Sequence, residues 1–338
     1  MTEESSEIMV DVNGLNVIFA KNHIIHDVSF KVKKGEIIGL FGISGAGKTT
    51  IIRVLTCQIE KKNWNGNVLV TDLSPATKKN HSLILNNIGY VPQLELLNLY
   101  FELSPLANIE VFSSAYGLDS KKAKKIAQEL FEILDIPPDT WNKRVKNMSG
   151  GEKKRLSMAI GLINKPSILF LDEPTTGVDA SKRYSILSYL KKLNQRLDTT
   201  MFIITHDLEA ALICDKTAIL REGRLLEFDS PQNLINSLPS EGLVARFEIT
   251  DLNEVKIDKI NEFPPVKKVL RVGNDVVEIL MDSFEENLPP LIQYMIKRGI
   301  IVNSMSRDLA SFRRFFQIRI QEEEEREQSF TGEVEPSS

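Results

Sequence analysis

The stretch LFGISGAGKTT, residues 40–50, places three glycines, a lysine and two threonines directly after a short apolar run. It matches the pattern G-x-x-x-x-G-K-[ST], with Gly42 and Gly47 as the fixed glycines, followed by Lys48 and Thr49. We expect a strand over residues 36–41, then a tight curl, and then a helix that begins near Lys48. The unpaired N–H groups at the start of that helix, together with its dipole, form an anion site.

This pattern predicts a loop that holds a nucleoside triphosphate. Glycine lets the backbone approach phosphate oxygens closely, Lys48 reaches the β- and γ-phosphates, and the Thr49 hydroxyl is a ligand for Mg²⁺. The predicted contacts to the nucleotide are Gly42, Ile43, Ser44, Gly45, Ala46, Gly47, Lys48, Thr49 and Thr50. The alternative is a glycine-rich turn that binds no ligand. The apolar strand before the loop and the helical pattern TTIIRVLTCQI after it favour the phosphate loop.

The composition describes an ordinary globular protein with room for two domains. The chain has 338 residues, of which 26% are charged and 42% hydrophobic, and this length supports two separate cores. No apolar run approaches the ~18 residues of a membrane helix. The acidic, polar start MTEESSEI differs from a secretory signal. Cys57 and Cys214 lack metal-ligand spacing, so we expect reduced core thiols in a cytosolic protein.

Negative charge is concentrated at the C-terminus. The net charge is −4, but the last eighteen residues carry seven glutamates and one arginine, which leaves +2 on the rest of the chain. That balance argues against nucleic acid as a partner. We expect residues 322–338 to form an acidic, disordered tail.

Strand and helix patterns alternate along residues 1–237. Short strand patterns precede the phosphate loop, a helical region covers residues 104–147, and strands then alternate with helices again. Such alternation predicts an α/β domain with a parallel sheet flanked by helices. The sequence thus divides into a nucleotide-binding domain over residues 1–237 and a remainder.

A second, smaller domain is predicted over residues 238–321. Its pattern reads strand, helix, strand, strand, helix, strand, which is the order of a ferredoxin-like α+β fold. The boundary lies near NSLPSEG, residues 236–242. The phosphate loop is not repeated in the sequence, so each chain contributes one such loop.

Two adjacent carboxylates end another apolar strand. In SILFLDEPTTGVDA, residues 167–180, four apolar residues are followed by Asp172 and Glu173. Ligands of open α/β sheets bind outside the carboxyl ends of the strands. Asp172 is therefore placed to hold Mg²⁺, and Glu173 to polarise a water against the γ-phosphate. The alternative is a helix entrance in which Asp172 is the cap and Pro174 follows in the first turn.

A second glycine-rich segment also begins a helix. In NMSGGEKKRLSMAIGLI, residues 147–163, Ser149, Gly150 and Gly151 precede an amphipathic helix with a basic first half. This helix start makes a second anion site. A single bound phosphate does not need two anion sites, but two copies of the chain that face each other would use both. Each copy's glycine segment could then close on the γ-phosphate held by the other copy.

Over residues 8–236 these motifs, in this order and spacing, resemble the ATP-binding subunits of ABC transporters. GISGAGKT resembles the Walker A loop, and FLDE resembles the Walker B strand. MSGGE resembles the signature sequence of the family, with Met148 where leucine is usual and Glu152 where glutamine is usual. The implied fold is a P-loop NTPase core with an antiparallel β subdomain and a helical subdomain.

Three shorter motifs and one aromatic residue extend this resemblance. YVPQ, GVD and ITHD resemble the Q-loop, the D-loop and the switch-histidine segment, and they contribute Gln93, Asp179 and His206. Phe19 lies eleven residues before Phe30, where the family usually has a tyrosine that stacks on adenine. Each of these residues, considered alone, has another interpretation. Gln93 is then a surface residue, Phe19 is a core residue, and His206 lies at the start of the following helix.

The resemblance implies ATP as ligand, Mg²⁺ as cofactor and ATP hydrolysis as activity. Glu173 and His206 are then the catalytic residues, and the expected metal ligands are Thr49, Gln93 and Asp172. The signature residues that contact the ATP of the partner copy are Ser149, Gly150, Gly151 and Glu152. The implied partners are a second copy or a second ATP-binding subunit, and integral membrane permease subunits. The implied location is cytoplasmic, peripheral on the inner face of the membrane.

The stretch LNLYFELSPLANIEVFSSAYGL, residues 97–118, resembles the drug-resistance and antibiotic-export class of the family. Ala107 stands where glutamate is common in that class. We therefore expect an exporter. The alternatives are an importer ATPase, a non-transport ABC protein, and an ATPase regulated by a small-molecule-sensing C-terminal domain.

Overall fold

The computed structural model describes residues 7–177 and 180–331 of the chain, which separates into two compact units. The first unit is Met1–Asp229 and the second is Ser230–Ser338. The predicted boundary after residue 237 lies later than this division. The reason is the helix Pro231–Asn236, which packs on the C-terminal helix of the second unit.

The first unit has nine strands and six α-helices among its described residues. The strands are β1 (Ile8–Phe19), β2 (Asn22–Lys33), β3 (Ile37–Phe41), β4 (Trp64–Val70), β5 (Ile88–Val91), β6 (Ile168–Asp172), β7 (Thr200–Thr205), β8 (Lys216–Arg221) and β9 (Arg224–Asp229). The helices are α1 (Lys48–Leu55), α2 (His81–Asn86), α3 (Pro105–Ala115), α4 (Ser120–Ile133), α5 (Gly150–Gly161) and α6 (Ala180–Leu197).

A six-stranded sheet in the order β5-β6-β7-β3-β8-β9 forms the centre of this unit. Its first five strands are parallel, and β9 pairs antiparallel with β8 at the edge. β3 and β7 are buried along their whole length, as expected for strands covered on both faces. The neighbouring carboxyl ends of β6, β7 and β3 bring the residues that follow these strands to one edge of the sheet.

A three-stranded antiparallel sheet in the order β2-β1-β4 packs beside the phosphate loop helix. Burial alternates along β2, where Val28, Phe30 and Val32 point inward, which is the pattern of a sheet with one solvated face. These side chains share a core with Ile38 and Leu40 of β3. The structure thus confirms the predicted α/β nucleotide-loop core with an antiparallel subdomain.

The helices α3, α4 and α5 pack on one another and form the predicted helical subdomain. Ser104 caps α3 by accepting a hydrogen bond from the Ala107 N–H at 3.2 Å. Asp119 caps α4 by accepting from the Lys122 N–H at 2.8 Å. Within residues 7–177 and 180–331, no helix has both the length and the apolar character to cross a bilayer.

The second unit follows the predicted order of strands and helices between its first and last helix. Its elements are α7 (Pro231–Asn236), β10 (Leu243–Ile249), α8 (Glu254–Asn261), β11 (Val266–Arg271), β12 (Val276–Met281), α9 (Phe284–Lys297), β13 (Val302–Leu309) and α10 (Phe312–Thr331). The strands form an antiparallel sheet in the order β11-β12-β10-β13. Phe247, Ile279, Phe284 and Leu291 lie in its own core, so this unit has the apolar interior of a separate domain.

Helix α10 includes residues that the sequence predicts to be a disordered tail. Residues 322–331 were expected to be disordered, but the helix continues to Thr331. The buried side chains Phe312 and Phe315 anchor its start, and Lys268 of β11 forms a 2.6 Å ion pair with Glu325. A run of glutamates by itself predicts a solvated tail, but in the helix Glu325 of this run has a basic partner in Lys268. Residues 332–338 lie outside the described part.

Candidate nucleotide site

The phosphate loop leaves β3 and enters α1 through Gly47, whose backbone has φ +101°. This left-handed conformation favours glycine, and a Cβ here would also lie 2.5 Å from Ile25 Cδ1, so the Ile25 side chain would have to shift. No side chain caps α1. The N–H groups of its first turn are therefore left for a bound anion.

A cavity of about 750 Å³ opens at this helix start. It brings together the loop, residues 43–50, with Gln93, Asp172, Glu173 and His206, which are far apart in the sequence. Two apolar residues that sequence reasoning missed, Ile24 and Ile204, also line it. No local sequence signal marks them, because an apolar residue in a strand reads as ordinary core.

The Lys48 ammonium lies against the loop itself. Its Nζ donates to the carbonyl oxygens of Gly42 at 2.6 Å and Ile43 at 3.1 Å. Burial lowers the pKa of Lys48, and the nearby carboxylates of Glu173 and Asp172 oppose that effect. An ammonium held on weak carbonyl acceptors in a partly desolvated site is suited to bind phosphate oxygens, which are stronger, charged acceptors.

Asp172 is fixed by a tyrosine that the motif analysis did not single out. The Tyr90 hydroxyl, from β5, donates to Asp172 Oδ2 at 2.9 Å. Burial, followed by the charge of Asp172, raises the pKa of Tyr90 well above its ordinary value, so the phenol remains a donor. The helix after β6 begins at Ala180, which rules out the alternative of Asp172 as its cap.

Both carboxylate oxygens of Glu173 accept hydrogen bonds. Thr205 and Thr176 donate to Oε2 at 2.9 Å and 3.0 Å, and the His206 backbone N–H donates to Oε1 at 3.2 Å. The His206 ring contributes Nδ1 at 2.8 Å from the same Oε1. Asp207 caps the turn that follows His206 by accepting from the Glu209 N–H. Both the backbone and the ring of His206 thus contact the Glu173 carboxylate.

Two predicted nucleotide contacts do not line the cavity: Gly42, at the start of the loop, and Phe19. Phe19 lies at the end of β1, where it pairs with Asn22, and it is 40% exposed. The core alternative for Phe19 therefore fails, and its contact with adenine stays a prediction. The neighbouring hydrophobic residue in the cavity wall is Ile24.

Three of the four signature residues, Ser149, Gly150 and Gly151, line a different cavity of about 640 Å³, and Glu152 does not line it. Ser149 caps α5 and forms a capping box with Glu152, whose Oε2 accepts from the Ser149 N–H at 2.6 Å. The Glu152 carboxylate is thus folded onto its own helix end. Among the described residues, the two cavities share no lining residue. The predicted D-loop residue Asp179 lies outside the described residues.

Comparison with known proteins matches residues 25–176 to the ABC transporter family. The Nod factor export ATP-binding protein I of Rhizobium sp. (strain N33) is 35% identical over 231 residues, which cover 68% of this chain and 73% of that protein. The linearmycin resistance ATP-binding protein LnrL of Bacillus subtilis is 29% identical, with coverages of 77% and 81%. The methionine import ATP-binding protein MetN of Clostridium acetobutylicum is 31% identical, with coverages of 69% and 72%.

Solved structures give the same fold. CbiO1 of Clostridium perfringens, part of the ABC transporter complex CbiONQ, aligns with a TM-score of 0.63 at 23% identity, over 76% of this chain and 96% of that chain. MJ0796, a bacterial ABC transporter cassette solved as a dimer, aligns with a TM-score of 0.57 at 24% identity, over 66% and 98%. With the cavity described above, these matches lead to one conclusion. The chain belongs to the ABC transporter family, as one of its ATP-binding, ATP-hydrolysing subunits.

Proposed function

We propose that this subunit powers an ABC exporter by ATP-driven closure of two copies of the chain against separate membrane subunits. The observation that supports closure is the separation of the two anion sites into different cavities. The phosphate loop and the signature segment of one copy thus line different cavities. A second copy, turned to face the first, supplies the missing half of each site.

Within one half-site, Lys48 and the free N–H groups of α1 bind the β- and γ-phosphates. Thr49, Gln93 and Asp172 line the same cavity and offer hydroxyl, amide and carboxylate oxygens, the donor types that Mg²⁺ takes. When bound, that ion would neutralise phosphate charge. Tyr90 holds the Asp172 carboxylate in place through its 2.9 Å hydrogen bond.

Glu173 is the proposed general base. It accepts a proton from the attacking water at a carboxylate oxygen, while Thr205 and Thr176 keep the carboxylate in one orientation. His206 Nδ1 contacts Glu173, and in the described part of the chain its Nε2 has no hydrogen-bond partner. We assign Nε2 to the γ-phosphate oxygens. Glu173 and His206 then act as one unit on the water and the phosphate.

The exposed leucine segment after Gln93 is the proposed contact with the membrane subunit. Leu94, Leu96 and Leu97 are 52%, 62% and 67% exposed, and Tyr100 is 52% exposed. Apolar side chains concentrated in this way are typical of protein interaction sites. Such a contact would place the chain in the cytoplasm, on the inner face of the membrane. Similarity of residues 97–118 to the drug-export class favours export over import.

Affinity purification of the full chain from detergent-solubilised membranes tests this assignment. The parent chain should carry a polytopic membrane protein with it, and Leu96→Asp with Leu97→Asp should lose that protein. Leu212→Asp, at an equally exposed leucine, is the matched control and should retain it. An extracellular solute-binding protein in the purified complex would contradict export and indicate import. Loss of the membrane protein in all variants alike would contradict the leucine segment as the contact.

A further inference from the structure

Lys154 is a buried cation on α5, one turn beyond the signature glycines. Its side chain is 8% exposed, and its Nζ lies 3.4 Å from the Gln93 carbonyl oxygen and 3.7 Å from Glu95 Oε1. Lys154 lines the signature cavity, whereas Gln93 lines the nucleotide cavity. The Lys154 ammonium therefore connects the helix that begins with the signature to the Gln93 end of segment 93–98. Ser157 of the same helix bonds to Asn98 further along this segment.

Stability does not explain a lysine at this position. Burial lowers the pKa of Lys154, and the carboxylates of Glu95, then Asp172 and Glu173, oppose that effect. Removing a cation from water is costly, and an apolar side chain of similar volume is often at least as stabilising as a buried ion pair. What a methionine cannot provide is a directed bond to a backbone carbonyl. Through its bond to the Gln93 carbonyl, Lys154 thus specifies the position of the segment that carries Gln93.

We propose that Lys154 is a positioning residue that ties the Gln93 segment to the signature helix, so that Gln93 and the signature move as one body during the ATP cycle. The inference rests on the proposed function. The same segment continues into Leu94, Leu96 and Leu97, whose side chains are exposed. Lys154 therefore also links the signature helix to the proposed contact with the membrane subunit.

Steady-state ATP hydrolysis by the full chain tests the role of Lys154. Lys154→Met keeps the volume and removes the charge, so kcat should fall by about 10- to 100-fold, the effect of misplacing a substrate-positioning group by roughly 1 Å. KM for ATP should change by less than about twofold, because the phosphate loop is intact. Lys154→Arg keeps the charge and should recover most of kcat. Lys153→Met, on the same helix, should match the parent.

Hydrogen exchange without nucleotide provides a readout that is independent of hydrolysis. Amides 94–98 should exchange faster in Lys154→Met than in the parent, and Lys154→Arg should restore their protection. Should Lys154→Met fail to fold, Glu95→Gln removes the anionic partner and is expected to give the same effects at smaller size. An Lys154→Met protein with parental kcat and parental exchange overturns the proposal, as does an equal loss of kcat in the arginine variant. A parent that does not hydrolyse ATP, but still shows the exchange difference, overturns the proposed function instead.

Discussion

At the scale of single residues, the site is held by hydrogen bonds that cross between strand ends. Glu173 has a left-handed backbone, φ 47°, and its N–H donates to the Ile204 carbonyl at 2.8 Å. A non-glycine residue in this region costs free energy and persists where its surroundings fix it. Thr205, fully buried at the end of β7, donates to the Glu173 carboxylate and accepts from Asp207 N–H at 3.0 Å. Contacts within the chain therefore position the proposed general base.

Lys48→Met tests the phosphate loop at this scale. The substitution removes a cation from a partly buried site, where a charge-assisted hydrogen bond contributes about 1.5–3 kcal/mol, so ATP affinity should fall by at least about tenfold. Isothermal titration with a slowly hydrolysed ATP analogue measures the loss. Lys31→Met, at an exposed lysine of β2, should bind like the parent. Parental affinity in Lys48→Met would remove the lysine from the site.

At the scale of elements, α5 shows how the chain accommodates an acidic residue next to a predicted phosphate site. The Glu152 side chain accepts from the Ser149 N–H, and Ser149 Oγ accepts from the Glu152 N–H at 3.3 Å. This reciprocal cap satisfies two N–H groups of the helix start. A glutamine can form the same pair of bonds without the negative charge, so Glu152 is compatible with the fold but unfavourable for an approaching phosphate.

Glu152→Gln should therefore tighten the ATP-bound dimer. Removing one negative charge at a helix N-terminus changes its interaction with an anion by about 0.3–1 kcal/mol. A dimer has two such sites, so the dimer dissociation constant should change by roughly 3- to 30-fold. Sedimentation equilibrium with ATP, in a background of Glu173→Gln, measures it. Ser149→Ala, which breaks the cap from the other side, should instead lower the melting temperature. A weaker dimer in Glu152→Gln would contradict the charge argument.

Local patterns predicted most elements and much of the cavity, because a phosphate loop and an acid-terminated strand are contiguous in sequence. Contacts between distant segments were missed. No local sequence pattern around Tyr90 indicates that its hydroxyl donates to Asp172. No local pattern around Lys154 indicates that its side chain is buried. The resemblance to the family predicts Phe19 at the nucleotide, and that contact stays a prediction, whereas Ile24, which lines the cavity, carries no local signal. Helix α10 was not predicted, and its ion pair with Lys268 also joins segments that are far apart in the sequence.

At the scale of the whole molecule, the described residues form two units with separate cores. Every described residue that lines the nucleotide or signature cavity belongs to the first unit. The second unit has its own groove of about 650 Å³ between β11 and α10, lined in part by Lys268, Arg271 and Arg314. The nucleotide and signature cavities therefore lie in one part of the chain, and this groove lies in another.

Truncation after Asp229 should leave ATP binding within about twofold of the parent, because a folded domain with its own core retains its ligand contacts. Circular dichroism verifies that the shortened chain is folded, and titration with an ATP analogue measures affinity. Loss of binding by a folded truncated chain would show that the second unit completes the nucleotide site.

The central claim, closure of two copies around ATP, is tested most directly by the molar mass of Glu173→Gln measured by light scattering during gel filtration. Loss of the general base should slow hydrolysis by about 10²- to 10⁴-fold and leave ATP trapped between the copies. With ATP, Glu173→Gln should elute as a dimer, whereas the parent, and Glu173→Gln combined with Lys48→Met, should elute as monomers. Glu173→Gln that binds ATP and still elutes as a monomer would contradict the account.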